Sequence, residues 1–78
     1  MNNRIEALVG NKIRSLRERA KMTQAELSAK LQLNGCDITR SAIAKIEVGQ
    51  RHIYPDEIIL IAQIFRASYD EILDTCEK

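Results

Sequence analysis

The sequence predicts an all-α fold of five helices, and three observations carry that expectation. Apolar residues recur at spacings of three and four, the period of a helix with one buried face. Helix-opening signatures stand at Thr23, Thr39, Pro55 and Ser68. One Pro and three Gly in 78 residues leave few turn-formers for a β-rich chain. With no Trp and one Phe, the core must be filled by Ile, Leu and Ala, which suits short packed helices. The whole chain, residues 1–78, reads as a single domain, of a size at which one core is only marginally stable.

In the first helix, Ile5, Leu8, Val9, Ile13, Leu16 and Ala20 share a face, while Arg4, Lys12, Arg14, Arg19 and Lys21 occupy others. Gly10 weakens its middle by up to about 1 kcal/mol relative to Ala, so two joined pieces with a frayed start are expected. The second helix opens at Thr23, an N-cap that Glu26 completes as a capping box, with Met22 and Leu27 placed as a hydrophobic staple. Leu27, Leu31 and the alanines are expected to face inward, and Asn34-Gly35 to end the helix near Leu33.

A third helix begins after Thr39, with Ile38 stapled onto Ile43, with Ile43 and Ile46 inward and with Gly49 as its terminator. Arg40, Ser41, Ala44, Lys45 and Val48 are left for its outer face. Pro55 opens a fourth helix over roughly residues 55–66, with Asp56 and Glu57 suited to its positive end. Ser68 and Glu71 form a capping box for a short fifth helix carrying Ile72 and Leu73.

The net charge of +1 is uninformative, but its distribution is not. Residues 1–55 hold ten Lys/Arg against five Asp/Glu, whereas residues 56–78 hold two against six. The front of the chain is therefore basic and the end acidic. Cys36 and Cys76 have no CxxC partner and no adjacent His, and read as free thiols of a reducing compartment. No segment approaches the eighteen or so apolar residues of a membrane span, and no signal peptide is read, so a cytoplasmic protein is expected.

The stretch from Thr23 to Gly49 holds two capped amphipathic helices joined by a short polar connector, the second with small and basic residues on its outer face. This is the pattern of a helix-turn-helix, in which the second helix enters a DNA groove. The run IRSLRERAKMTQAELSAKL…ITRSAIAKIEVGQR…IAQIF…SYDEIL resembles the phage repressor/Cro-like, or XRE, family over about residues 9–75. That resemblance implies a compact lambda-repressor-like domain with its helix-turn-helix in helices two and three. Three departures stand out: a connector about five residues longer than the usual tight turn, Arg66 where glycine is usual, and Val48 where Asn is common.

The resemblance also assigns roles. The base-reading positions fall on Arg40, Ser41 and Lys45, with Ala44 facing the groove. Arg and Lys donate to guanine O6 and N7, so a G contact is expected in each half-site. Gln24 takes a backbone-phosphate position, and Arg14, Gln50 and Arg51 are further phosphate candidates. Arg17 and Glu47 match an internal ion pair tying the first helix to the recognition helix.

Leu60 and Ile64 widen the apolar arc of the fourth helix, and two readings stand: packing against Ile5, Leu8 and Val9, or a homodimer seam. His52 has no metal-binding or catalytic partner and reads as a surface residue beside the phosphates. The acidic residues 70, 71, 74 and 77 read as a solvated face, and no motif argues for catalysis, a metal or a cofactor. The expected function is a sequence-specific regulator, of repressor type, on double-stranded DNA with a near-palindromic operator. The rival is a protein-interaction module on the same fold, such as an antitoxin-like or inhibitor protein.

Overall fold

Each helix start marked in the sequence is used. The computed structural model describes residues 3–73, which form α1 (Asn3–Arg19), α2 (Gln24–Leu33), α3 (Arg40–Glu47), α4 (Pro55–Phe65) and α5 (Tyr69–Leu73). Cys76, Asp74 and Glu77 lie outside the described residues.

Thr23 Oγ1 accepts from the Glu26 backbone N–H at 3.0 Å, and Glu26 Oε1 accepts from the Thr23 N–H at 2.7 Å, closing the capping box. Thr39 Oγ1 accepts from Ala42 N–H, and Ser68 Oγ from Glu71 N–H. At α4, Pro55 takes the first helical position, where a missing N–H costs nothing. The Tyr54 N–H just before it donates to Glu57 Oε1 at 3.0 Å.

Helices α1 to α4 share one way of ending. The N–H just past a left-handed residue reaches back five positions: Met22 to Arg17, Cys36 to Leu31, Gln50 to Lys45 and Ala67 to Ala62, all at 2.8–3.0 Å. This Schellman geometry needs a left-handed residue just before that donor. Gly35 and Gly49 supply it at two ends, but Lys21 (φ 57°) and Arg66 (φ 54°) at the others. Arg66 thus turns left-handed immediately after α4, which stops at Phe65.

The core joins all five helices. Val9, Ile13 and Leu16 of α1 meet Leu27 and Leu31 of α2, Ile43 and Ile46 of α3, Ile61 of α4 and Ile72 of α5, all buried. α1 packs on α3, α4 and α5, while α2 packs on α3 and α4. Ile38, in the connector, is also buried.

Three expectations about individual faces are corrected. α1 is one continuous helix through Gly10, not two pieces. Gly10 is buried where α1 crosses the end of α3, and a Cβ there would collide with the Ile46 carbonyl oxygen and stand 3.0 Å from Glu47 Cα. The glycine serves a backbone-to-backbone approach, and the packing gained outweighs its lower helix propensity. In α2 the alanines Ala25 and Ala29 are exposed, and Ser28 goes inward with Leu27 and Leu31. Ser28 can do so because its hydroxyl donates to the Ile38 carbonyl at 2.6 Å. At the ends of the first apolar face, Ile5 and Ala20 are exposed.

The long connector is tied to α2 throughout. The Ile38 carbonyl accepts from Gln32 Nε2 as well as from Ser28, and Asn34 Nδ2 donates to the Lys30 carbonyl. These bonds secure the approach to α3. Among the described residues, no helix is long and apolar enough to cross a membrane.

Candidate nucleic-acid interface

α3 is amphipathic in the sense a groove-binding helix requires. Ile43, Ile46 and Glu47 are buried, while Arg40, Ser41 and Lys45 are exposed and Ala44 is half-buried between them. Val48, at the end of the same face, is 56% exposed. The side chains of Arg40 and Lys45 make no hydrogen bond or ion pair among the described residues. Both cations are available to a ligand.

Glu47 is only 2% exposed and sits at the centre of a polar knot. Arg17 Nε donates to its Oε2 at 2.7 Å and Arg17 Nη2 to its Oε1 at 3.1 Å. Gln24 Nε2 donates to Oε1 at 3.0 Å, and Arg17 Nη1 reaches the Met22 carbonyl at 2.9 Å. The bond to Glu47 raises the affinity of Arg17 for its proton, outweighing the opposing effect of burial. The knot therefore spans the end of α1, the start of α2 and the last turn of α3. Among the described residues no fully buried side-chain nitrogen or oxygen lacks a hydrogen-bond partner, the condition under which a buried pair is tolerable.

The phosphate candidates divide by how their polar groups are engaged. The Gln24 amide nitrogen is held by Glu47, which leaves its carbonyl oxygen and second N–H. Arg14 is exposed and bonds Glu18 one turn along α1 at 3.1 Å, and Gln50 is exposed. Arg51 is the most committed. Its two terminal nitrogens grip Glu57 at 3.1 Å each, one also donates to the His52 carbonyl, and the guanidinium lies 5.7 Å from the centre of the Tyr54 ring. Glu57 is buried, and this second internal ion pair went unread in the sequence. A helix-opening acid six residues after an arginine, across Pro55, was its only trace.

The loop after α3 is seated on α1. Gly49 (φ 80°) comes so close to Ala7 that a Cβ would lie 2.9 Å from the Ala7 Cα. His52 Nδ1 meets the Glu6 carboxylate. Cys36 is half-buried in the connector; burial first, then the Glu57 and Asp56 carboxylates, push its thiol up and keep it protonated. On α4, Leu60 and Ile64 are half-buried against the core, and the most exposed large apolar residue of that helix is Ile59. Among the described residues no group of His, Cys, Asp and Glu is arranged to hold a metal ion.

One open cleft, about 490 Å³, joins these parts. Arg17, Lys21, Thr23, Gln24 and Arg40 line it, so it runs from the end of α1 past the start of α2 to the first residue of α3.

An all-helical domain in which two consecutive capped helices pack together, the second with a basic outer face, has the architecture of a helix-turn-helix domain. The comparison with known families agrees: residues 13–72 match the helix-turn-helix family. The chain belongs to this family, of the repressor/Cro-like XRE type, and is a DNA-binding regulator of that kind. No curated protein and no solved structure matches it.

Proposed function

We propose that the chain is a repressor-type regulator that reads the DNA major groove with α3. The observation that carries this reading is the state of that helix's outer face. Arg40, Ser41 and Lys45 are exposed, the two cations have no partner among the described residues, and the opposite face is locked into the core. A surface arginine is usually well solvated. A pair of free cations on a helix held at its back by Ile43, Ile46 and Glu47 is, in addition, positioned. In this reading Arg40 and Lys45 donate to guanine edges, Ser41 and Ala44 line the groove floor, and Gln24, Arg14 and Gln50 approach phosphates. Repression then follows from occupancy of an operator.

We infer a homodimer on a near-palindromic site, because two recognition helices about 34–36 Å apart read successive major grooves. Leu60 and Ile64 are partly occupied by the core, which leaves Ile59 as the apolar residue of α4 most available to a second copy. The same burial weakens the protein-interaction alternative, which leaned on Leu60 and Ile64.

Fluorescence anisotropy of the protein against DNA from its own upstream region and against a scrambled duplex tests the proposal. Preference for the native fragment by about a thousandfold or more supports a sequence-specific regulator. Equal binding to both would overturn specific recognition of that fragment. No binding to either would favour a protein partner.

A further inference from the structure

The cleft at the start of α2 has two cationic walls, and only one belongs to the recognition helix. Arg40 forms the α3 side, and Lys21, the residue that closes α1, forms the other. Like Arg40, Lys21 is exposed and its side chain makes no hydrogen bond or ion pair among the described residues. The third cation in the cleft, Arg17, is neutralised by Glu47 and so contributes little net charge. Glu18 also lines the cleft, but its carboxylate is bonded to Arg14 at 3.1 Å, so among the described residues the cations of the cleft without a partner are Lys21 and Arg40. Thr23 and Gln24, at the start of α2, line the same cleft, and the Gln24 side chain bonds Glu47 of the groove-reading helix.

We propose that Lys21 is a DNA phosphate contact, holding a phosphodiester at the mouth of this cleft while Arg40, on its other side, faces the bases. The proposal rests on the reading of α3 as the DNA-facing helix and extends it to a residue of the turn that follows α1. A lysine suits the task as a compact point charge on a flexible stem, needing no fixed bidentate geometry. It carries no base information; it sets affinity and register while Arg40 and Lys45 read the bases.

The backbone provides a clean test. Lys21 adopts φ 57°, a conformation glycine occupies without steric cost. Lys21→Gly should therefore fold at least as well as the parent while losing the contact. Lys21→Gln removes the charge and keeps a side chain at that position. Binding of parent and variants to an own-upstream duplex and to a mixed-sequence duplex of about 20 bp, two helical turns, is followed by anisotropy over a salt series, with thermal unfolding alongside.

Loss of one phosphate contact lowers the slope of log affinity against log salt by about 0.9. The gap between parent and variant should thus narrow about 3.5-fold over a fourfold rise in salt, equally on both duplexes. If both variants keep the parental slope, Lys21 is not a phosphate contact, even if affinity falls through a reshaped turn. If the losses are confined to one duplex, Lys21 reads sequence and the proposal is wrong. If the parent itself binds neither duplex, the DNA reading of α3 fails first, and this proposal falls with it.

Discussion

At the scale of single residues, the structure separates side chains that hold the fold from those left for a ligand. Arg17 and Arg51 are both arginines near the helix-turn-helix, yet each is clamped to a buried glutamate, while Arg40 has no partner among the described residues. The sequence pattern could assign Arg17 through its family position. It could not show that Arg51 is engaged, because Glu57 lies in the next helix and reads equally well as a dipole-matched acid. Arg40→Ala should lower specific affinity by about 1–3 kcal/mol and relax preference at one base pair, measured by competition with operator variants. Unchanged preference at every position would remove Arg40 from the base-reading set. Arg66 allows a different test, because a non-glycine residue in the left-handed region costs about 1–2 kcal/mol. Glycine relieves that cost but gains entropy in the unfolded chain. Arg66→Gly should raise stability by a net amount below about 1 kcal/mol, read as a higher urea midpoint, and a lower midpoint would show that the Arg66 side chain itself stabilises the α4–α5 turn.

At the scale of elements, helix starts were legible and the middles of helices less so. Caps depend on residues within a few positions of one another, and Thr23, Thr39, Pro55 and Ser68 all mark their helices as expected. Gly10 and the outward alanines of α2 were misread for a common reason: their roles are set by what crosses them in space. Helix propensity alone makes Gly10 a weak point, whereas the close passage of α3 makes it the residue that fits. The capping box of α2 has a measurable pH signature. Hydrogen bonds from the Thr23 backbone and side chain, chiefly the backbone one, hold the Glu26 carboxyl below its ordinary range. A carboxylate with a lowered folded-state pKa stabilises at pH values above its ordinary range, and that contribution fades as pH falls through that range to the depressed value. Glu26→Gln should therefore flatten part of the acid limb of stability against pH, followed by urea unfolding from neutral to acid pH. Parallel curves for parent and variant would show that the box does not couple to acid unfolding.

At the scale of the whole molecule, the recognition helix is held by the rest of the fold through Glu47. The pair it forms with Arg17 joins α1 to α3, and Gln24 adds α2. Removing one partner leaves a buried charge uncompensated, so Arg17→Ala should cost about 3–5 kcal/mol of stability, read from denaturant midpoints. Stability equal to the parent with lost DNA affinity would instead make Arg17 a ligand contact. The overall architecture was legible because it rests on periodicity and caps. The three-way knot was only half legible: the family pattern suggests Arg17 with Glu47, but Gln24 was read solely as a phosphate ligand. Its bond to Glu47 depends on the angle between α2 and α3.

The meeting of Gly10 with the last turn of α3 carries a consequence for how this protein can change over time. At that crossing main chain lies on main chain, with no side chain between to act as a cushion. The tilt of the reading helix is thus gauged by peptide groups, whose dimensions no ordinary substitution alters. Drift among the surrounding Ile and Leu residues would erode the amount of folded protein before it altered which DNA is chosen. Exchange of residues 40, 41 and 45 could redirect that choice with the scaffold left in place. Under the proposed reading of α3, robustness and target preference are written in separate sets of residues.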